Sequence, residues 1–312
     1  MPKRGVPARG LALVSAAAAL LALAAPSVSY GQEATTPLPV LELGQGVYGI
    51  QAQNGDMNTG FVVGDDGVLV WACNNNNFEQ RLASIRTVTD KPVKWIANGH
   101  AAFDDSGCNS DWKAMGATVI SSTRAKEHYL AVNPERYTAA LATPAGQRAW
   151  RGRSLQPAEV TFPDELDLHL GNGRDVRLMF MGKGHTIGDA VAYIPDQKVL
   201  FSADLLFNNL HPTVREGDSA NWERILDRLA NLDINWIVVG HGDIVQGKSI
   251  LQDQAAYFQY MRSQVRDLMQ QGKSLDEVKA EINLGPYTNW GRAEQIPDTI
   301  EVLYRELGGA SG

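Results

Sequence analysis

Short apolar runs separated by turn residues dominate the chain beyond its first forty or so positions, and their period changes along it. Alternation and β-branched content predict strands over 47–51, 60–64 and 68–71, with Asp65-Asp66-Gly67 as the hairpin turn between the last two. Over 78–89 the period lengthens, and Leu82, Ile85 and Val88 recur at helical spacing. A strand over 94–97 leads to a polar loop over 100–109, a helix near 111–115, a strand over 119–121 and a helical segment around 123–132. The second half has strands over 159–162, 176–181, 190–194, 199–202 and 236–239, with a helix over 222–230. A long amphipathic helix is predicted over 251–269, its apolar face made of Tyr257, Met261, Val265 and Leu268. Ser274 with Glu277, and Asp298 with Glu301, have capping-box spacing for two last helices. Residues 32–40 read as an extended lead-in. No linker and no repeat separates the strand-rich halves, which predicts one α/β domain with two packed sheets.

The first 31 residues follow another pattern. Lys3, Arg4 and Arg9 precede an apolar run over 11–25, followed by Pro26 and small residues. A basic head, an apolar core and a small-residue zone make a secretory signal, here expected to be cleaved near Ser29 or Gly31. The run is short for the ~20 residues that span a bilayer. The expected location is therefore the periplasm or the cell exterior, where disulfides persist.

Composition removes further classes. With 44% hydrophobic residues the chain is not disordered over most of its 312 residues. The net charge of −7 becomes more acidic once the basic, acid-free head is removed. That argues against a nucleic-acid partner, which needs a basic surface. Two cysteines, Cys73 and Cys108, cannot build a Cys-rich zinc module but can make one bridge.

Six histidines are present, at 100, 128, 169, 185, 211 and 241. His100, His185 and His241 each follow a strand-like run, as does Asp204. Loops at strand ends are where α/β scaffolds assemble sites. Imidazole and carboxylate together suit Zn, Fe or Mn, with surface or capping histidines as the alternative. His128 and His169 read as surface or packing residues, and Trp290 as a packing anchor.

Four segments in order resemble the metallo-β-lactamase superfamily over roughly 47–245. They are His100-Ala101-Ala102-Phe103-Asp104-Asp105, Gly184-His185-Thr186, Ser202-Ala203-Asp204-Leu205 and Gly240-His241-Gly242. The resemblance implies an α/β fold, the αβ/βα four-layer sandwich, with a C-terminal helical extension. Its expected parts are a signal over 1–31, the sandwich over 32–248, and helices over 249–312 packed on the same domain. It also implies metal ligation by His100, Asp104, Asp105, His185, Asp204 and His241. Three positions depart from the family's His-x-His-x-Asp-His pattern and its strand-end Asp: Ala102 replaces the second His, Asp105 the third, and Trp71 the buried Asp.

The implied chemistry is attack by a metal-activated water on an ester, lactone, thioester or related small molecule. Asp104 and Asp105 would be the catalytic carboxylates, and Trp71, Phe103 and His211 would line the substrate pocket. The expected cofactor is one divalent ion (Zn, Fe or Mn), held by Asp104, Asp105, Asp204 and His241; three carboxylates and one imidazole favour Mn, Fe, Mg or Ca over structural-type Zn. Without an ion, one clustered carboxylate should have a raised pKa. Asp204, standing where the common zinc β-lactamases have a Cys ligand, disfavours β-lactamase action and is similar to glyoxalase II-like and lactonase-like hydrolases. The alternative is a catalytically silent periplasmic binding protein, a pseudoenzyme keeping the fold without metal. The resemblance also sets Cys73 and Cys108 on adjacent loops, implying a disulfide across the rim, against separate thiols or a metal-ligand role.

Overall fold

A computed structural model describes residues 35–171 and 173–309, together with Met1, Pro2 and Gly5. The expected export signal lies outside the described residues apart from those three. From Thr35 onward the chain forms one compact unit. Its strands are β1 (Val40–Gly44), β2 (Val47–Ile50), β3 (Thr59–Val63), β4 (Val68–Trp71), β5 (Val93–Asn98), β6 (Thr118–Ser122), β7 (Val160–Phe162), β8 (Glu165–His169), β9 (Asp175–Gly182), β10 (Asp189–Ile194), β11 (Val199–Phe207), β12 (Trp236–His241) and β13 (Val245–Gln246). The helices are α1 (Phe78–Arg86), α2 (Phe103–Ser106), α3 (Asn109–Ala114), α4 (Thr123–Leu141), α5 (Pro144–Ala149), α6 (Ser219–Ala230), α7 (Ser249–Gln270), α8 (Leu275–Glu281) and α9 (Ile296–Glu306).

Seven strands form one sheet in sequential order, antiparallel through β4 and parallel from β4 to β7. Six form the second, in the order β13-β12-β11-β10-β9-β8, where β11 and β12 are the parallel pair. The strand period of two decides the layering. On β4, Leu69 and Trp71 face the second sheet and meet Leu178, Ala192 and Phe201, while Val68 and Val70 face outward against α1 and α3. On the second sheet, Val199 and Phe201 point inward, and Leu200 points out into a cluster shared with α6, α7 and α9. Strands β4, β10 and β11 are buried at every position, so they read as continuous apolar runs. The result is the expected αβ/βα sandwich, with two mixed sheets flanked by helices.

The C-terminal helices belong to the same core. Tyr257, Phe258, Met261, Ile300 and Leu303 pack with Val239, Phe207 and Trp222. Gln254 on α7 accepts from the Phe207 amide (2.9 Å) and donates to the Leu205 carbonyl (2.7 Å), fixing the end of β11. Among the described residues, no helix is long and apolar enough to cross a membrane.

Several elements differ from the sequence expectation. Part of the expected lead-in belongs to β1, and α4 continues through Pro134. The Ser274–Glu277 capping box forms, but Asp298 does not cap α9, whose N-cap is Gln295. Pro297 fits the first helical turn because the missing amide would be unbonded there anyway, so the helix starts before it. Asp298 pairs instead with Arg215, and Glu301 with Lys279.

Candidate metal centre

One end of the sandwich collects the polar strand termini. His100 follows β5, Asp104 and Asp105 lie on α2, His185 follows β9, Asp204 lies in β11 and His241 ends β12. Asp204 reaches the site because β11 is irregular there. Its register against β12 shifts on both sides of Ala203, whose φ of 46° is left-handed. That backbone costs a non-glycine residue about 1–2 kcal/mol, a strain that persists only where surroundings enforce it. Two glycines make room. A Cβ on Gly240 would collide with the Asp204 carboxylate, and one on Gly99 would meet Ala203, Asp105 Oδ2 (3.0 Å) and Trp71 Cζ2 (3.0 Å).

Asp204 is the hub. Its Oδ1 lies 3.2 Å from His241 Nε2 and 3.7 Å from His100 Nε2, and its Oδ2 lies 3.5 Å from His185 Nε2. Asp104 Oδ2 is 3.5 Å from His241 Nε2. Two ligand sets therefore share Asp204: His100–His185–Asp204 and Asp104–Asp204–His241. Nε2 of His100 and His241, and Oδ1 of Asp104, Asp105 and Asp204, are buried with no hydrogen-bond partner. Such atoms are costly when orphaned, and a cation would satisfy the carboxylate oxygens and His241 Nε2.

Backbone carbonyls prepare two of the rings. His185 Nδ1 donates to Thr213 O (2.7 Å) and His241 Nδ1 to Gly55 O (2.8 Å), which leaves each neutral Nε2 with a free lone pair. Phe207 stacks on His241 at 5.2 Å. His100 differs: the Ala102 amide donates to its Nδ1 (3.2 Å), so its neutral ring carries the proton on Nε2.

The electrostatics reflect the crowding of carboxylates and imidazoles at one buried place. Burial pushes His241 down, but Asp204 and Asp104 overcome it and raise it to about 10. His100 likewise rises to about 10, with Asp105 and Asp204 outweighing burial. Burial pushes Asp204 up, yet His241 and His100 hold it well below the usual carboxylate range. Asp105 goes the other way, raised by burial to about 7, which is the raised carboxylate expected of such a cluster.

The family model described as Metallo-beta-lactamase superfamily matches residues 55–241, which includes every member of this cluster. The chain belongs to the metallo-beta-lactamase superfamily. A type 2 metallo-beta-lactamase from Bacteroides fragilis is 25% identical over 116 residues, 36% of this chain and 46% of that protein. The chain thus spans less than half the length of that curated relative in the match. A metallo-beta-lactamase from Pontibacter korlensis superposes with a TM-score of 0.56 at 21% identity, covering 70% of this chain and 97% of that one. The sec-alkylsulfatase Pisa1 from Pseudomonas sp. gives 0.64 at 17% identity, covering 88% of this chain and 51% of that one. At these identities the structural likeness is one of fold.

Against the metallo-beta-lactamase pattern, the altered positions have clear places. Asp105 joins neither ligand set. Its backbone carbonyl receives the Cys73 amide (2.7 Å), its Oδ2 receives the Gly99 amide (2.9 Å), and that oxygen stays 3.8 Å from His100 Nε2. Trp71 is fully buried between the sheets, its indole filling space beside Gly99. Cys73 and Cys108 form a disulfide with Cα atoms 5.5 Å apart, tying the end of β4 to the loop of α2. His211 is buried against Tyr257 (Nδ1 to OH, 3.1 Å) and Trp290, which stacks on Tyr257 as a packing anchor. Phe103 packs edge-on against Trp150.

Beside the cluster lies a cavity of about 360 Å³, lined by Asp104, His185 and Asp204, by Arg136, Arg215 and Arg292, and by Thr213 and Glu216 among others. Trp71, Phe103 and His211, expected to line the pocket, are not in this wall, because each is held by packing elsewhere. The arginines carried no sequence signal, since isolated arginines are ordinary surface residues. Buried Asp189, which accepts from the Gly184 (3.0 Å) and Thr186 (3.0 Å) amides on either side of His185, was also not singled out.

Glu216 bonds Arg136 and lies 3.1 Å from His128 Nε2. The bond from His128 holds its carboxyl at about 2, against burial and with help from Arg136. A depressed carboxyl contributes stability above its unfolded pKa, and that stability is lost as pH falls through the folded value. Glu216→Gln is expected to cost about 1 kcal/mol at pH 7 after allowance for solvent screening. The gap in thermal or urea stability should close between pH 4.5 and about 2; a gap unchanged at pH 2 would refute this assignment.

Proposed function

We propose that the chain is a metal-dependent hydrolase in which Asp104, Asp204 and His241 hold one divalent ion, Zn, Fe or Mn. The substrate class is an ester, lactone, thioester or related small molecule. The observation that carries this reading is the convergence of Asp104, Asp204 and His241, whose ligand atoms lie within 4.8 Å of one another, with Asp204 Oδ1 and His241 Nε2 buried without a hydrogen-bond partner and the His241 tautomer fixed by Gly55. When bound, a divalent ion supplies Lewis-acid polarisation and lowers the pKa of a nearby water. Asp104, half-buried at the cavity wall, is the carboxylate placed to orient that water and take its proton. Asp105 positions His100 and holds the Gly99 turn through its Oδ2. Gly55 and Thr213 keep His241 and His185 in their working orientations.

An exported, periplasmic or secreted location belongs to the same proposal, supported by the pairing of both cysteines. The silent binding protein is a second reading, favoured by the Ala102 amide on His100 Nδ1 and by Asp105 standing apart from both ligand sets. Elemental analysis of protein purified without added metal separates them. The expected content is about one ion per chain, with hydrolysis of simple esters or lactones lost on chelation and restored by Zn, Fe or Mn. Fewer than about 0.2 ions per chain, and no binding on titration, would sink the hydrolase reading.

A further inference from the structure

We propose that Arg292 is an anion clamp in the cavity beside the cluster, and that the substrate carries a carboxylate or similar oxyanion apart from the bond that is cut. This rests on the hydrolase reading in taking the cavity as the substrate's seat.

Three guanidinium groups line the cavity, and two are committed. Arg136 is paired with Glu216, and Arg215 with Asp298 (2.6 Å) on a side chain that is 74% exposed. Arg292 is different. Its Nη2 donates to Thr213 Oγ1 (3.0 Å), its Nε is 4.0 Å from Glu294, and its Nη1 is buried with no partner. A buried donor on a cation without an acceptor is costly to retain, and an oxyanion is the acceptor it fits best.

The backbone shows that this side chain is held in place. Arg292 has a φ of 60°, a left-handed conformation that L-residues adopt at a cost. A bridge between Leu210 and Gly291 pins it, with His211 N donating to Gly291 O (2.9 Å) and Gly291 N to Asn209 O (2.9 Å). The guanidinium lies 5.3 Å over Phe207, the ring that stacks on His241. Thr213, which accepts from Arg292 through its hydroxyl, accepts from His185 through its carbonyl. The cation therefore shares one neighbour with His241 and another with His185, and it lines the same cavity as Asp104 and Asp204.

Binding and turnover test this separately, in the full chain. Chelator-stripped protein is titrated with benzoate and with neutral benzamide by calorimetry or NMR. Benzoate should bind at least about tenfold more tightly, and Arg292→Met should abolish the preference while Arg215→Met keeps it. Thr213→Val, a milder change that removes only the seat, should reduce it part-way. Equal binding of the two probes, or a preference that survives Arg292→Met with an unchanged melting curve, overturns the clamp. In metal-loaded protein, p-nitrophenyl hemisuccinate should be preferred over p-nitrophenyl butyrate, and Arg292→Met should erase the preference mainly through KM. Benzoate preference without hydrolysis of either ester supports the clamp and counts against the hydrolase. Hydrolysis of both esters with no preference overturns the clamp and leaves the hydrolase standing.

Discussion

Asp204→Ala is expected to remove metal binding and hydrolysis together. Asp204 is the one carboxylate common to both ligand sets, and its two oxygens face three imidazoles at 3.2 to 3.7 Å. Removing it leaves each set with two ligands and reduces metal affinity by more than about a thousandfold, with activity lost in proportion. The change also strips the counter-charge that holds His100 and His241 at about 10, so both imidazoles should lose their protons at lower pH. NMR titration of the metal-free variant reads that shift directly. Asp204→Asn keeps the shape but not the charge and should behave like the alanine variant. Full metal content in either variant would refute the hub assignment.

The second large effect belongs to the disulfide. Cys73–Cys108 closes a sequence separation of 35 residues, for which loop-closure entropy gives roughly 3–4 kcal/mol. The double variant Cys73→Ser with Cys108→Ser should melt about 6–16 °C lower, and so should the wild type after reduction. Metal affinity should fall far less, by about tenfold, because backbone bonds also tie the two segments. Cys73 N donates to Asp105 O (2.7 Å) and Cys108 N to Cys73 O (3.2 Å). Scanning calorimetry and metal titration on the same sample separate the two quantities, and an unchanged melting temperature would show that the bridge adds nothing to the backbone contacts.

Residues that act locally were legible in the sequence. His100, His185, Asp204 and His241 each come after a short apolar run, and that placement is visible from neighbouring residues alone. Periodicity predicts one α/β domain with two packed sheets, and the four-layer sandwich is what the resemblance carried by the same segments implies. What escaped was set by contacts between distant parts of the chain. Asp105 follows Asp104 directly, yet its Oδ2 is engaged by the Gly99 amide and it joins neither ligand set. Arg136, Arg215 and Arg292 meet in one cavity only because α4, the segment after β11 and the segment before α9 converge. Nothing in the immediate neighbourhood of any of them encodes that meeting. Trp71 lies between these cases. Its departure from the family pattern was visible, but its burial between the sheets depends on Gly99, across the strand pair.

The bridge between Leu210 and Gly291 has a consequence for how such a protein can diversify. The clustered histidines and aspartates are all written before residue 242, whereas Arg292 in the cavity wall is written near the other end of the chain. Substitution at Arg292 can therefore change that wall without replacing any of the clustered histidines and aspartates.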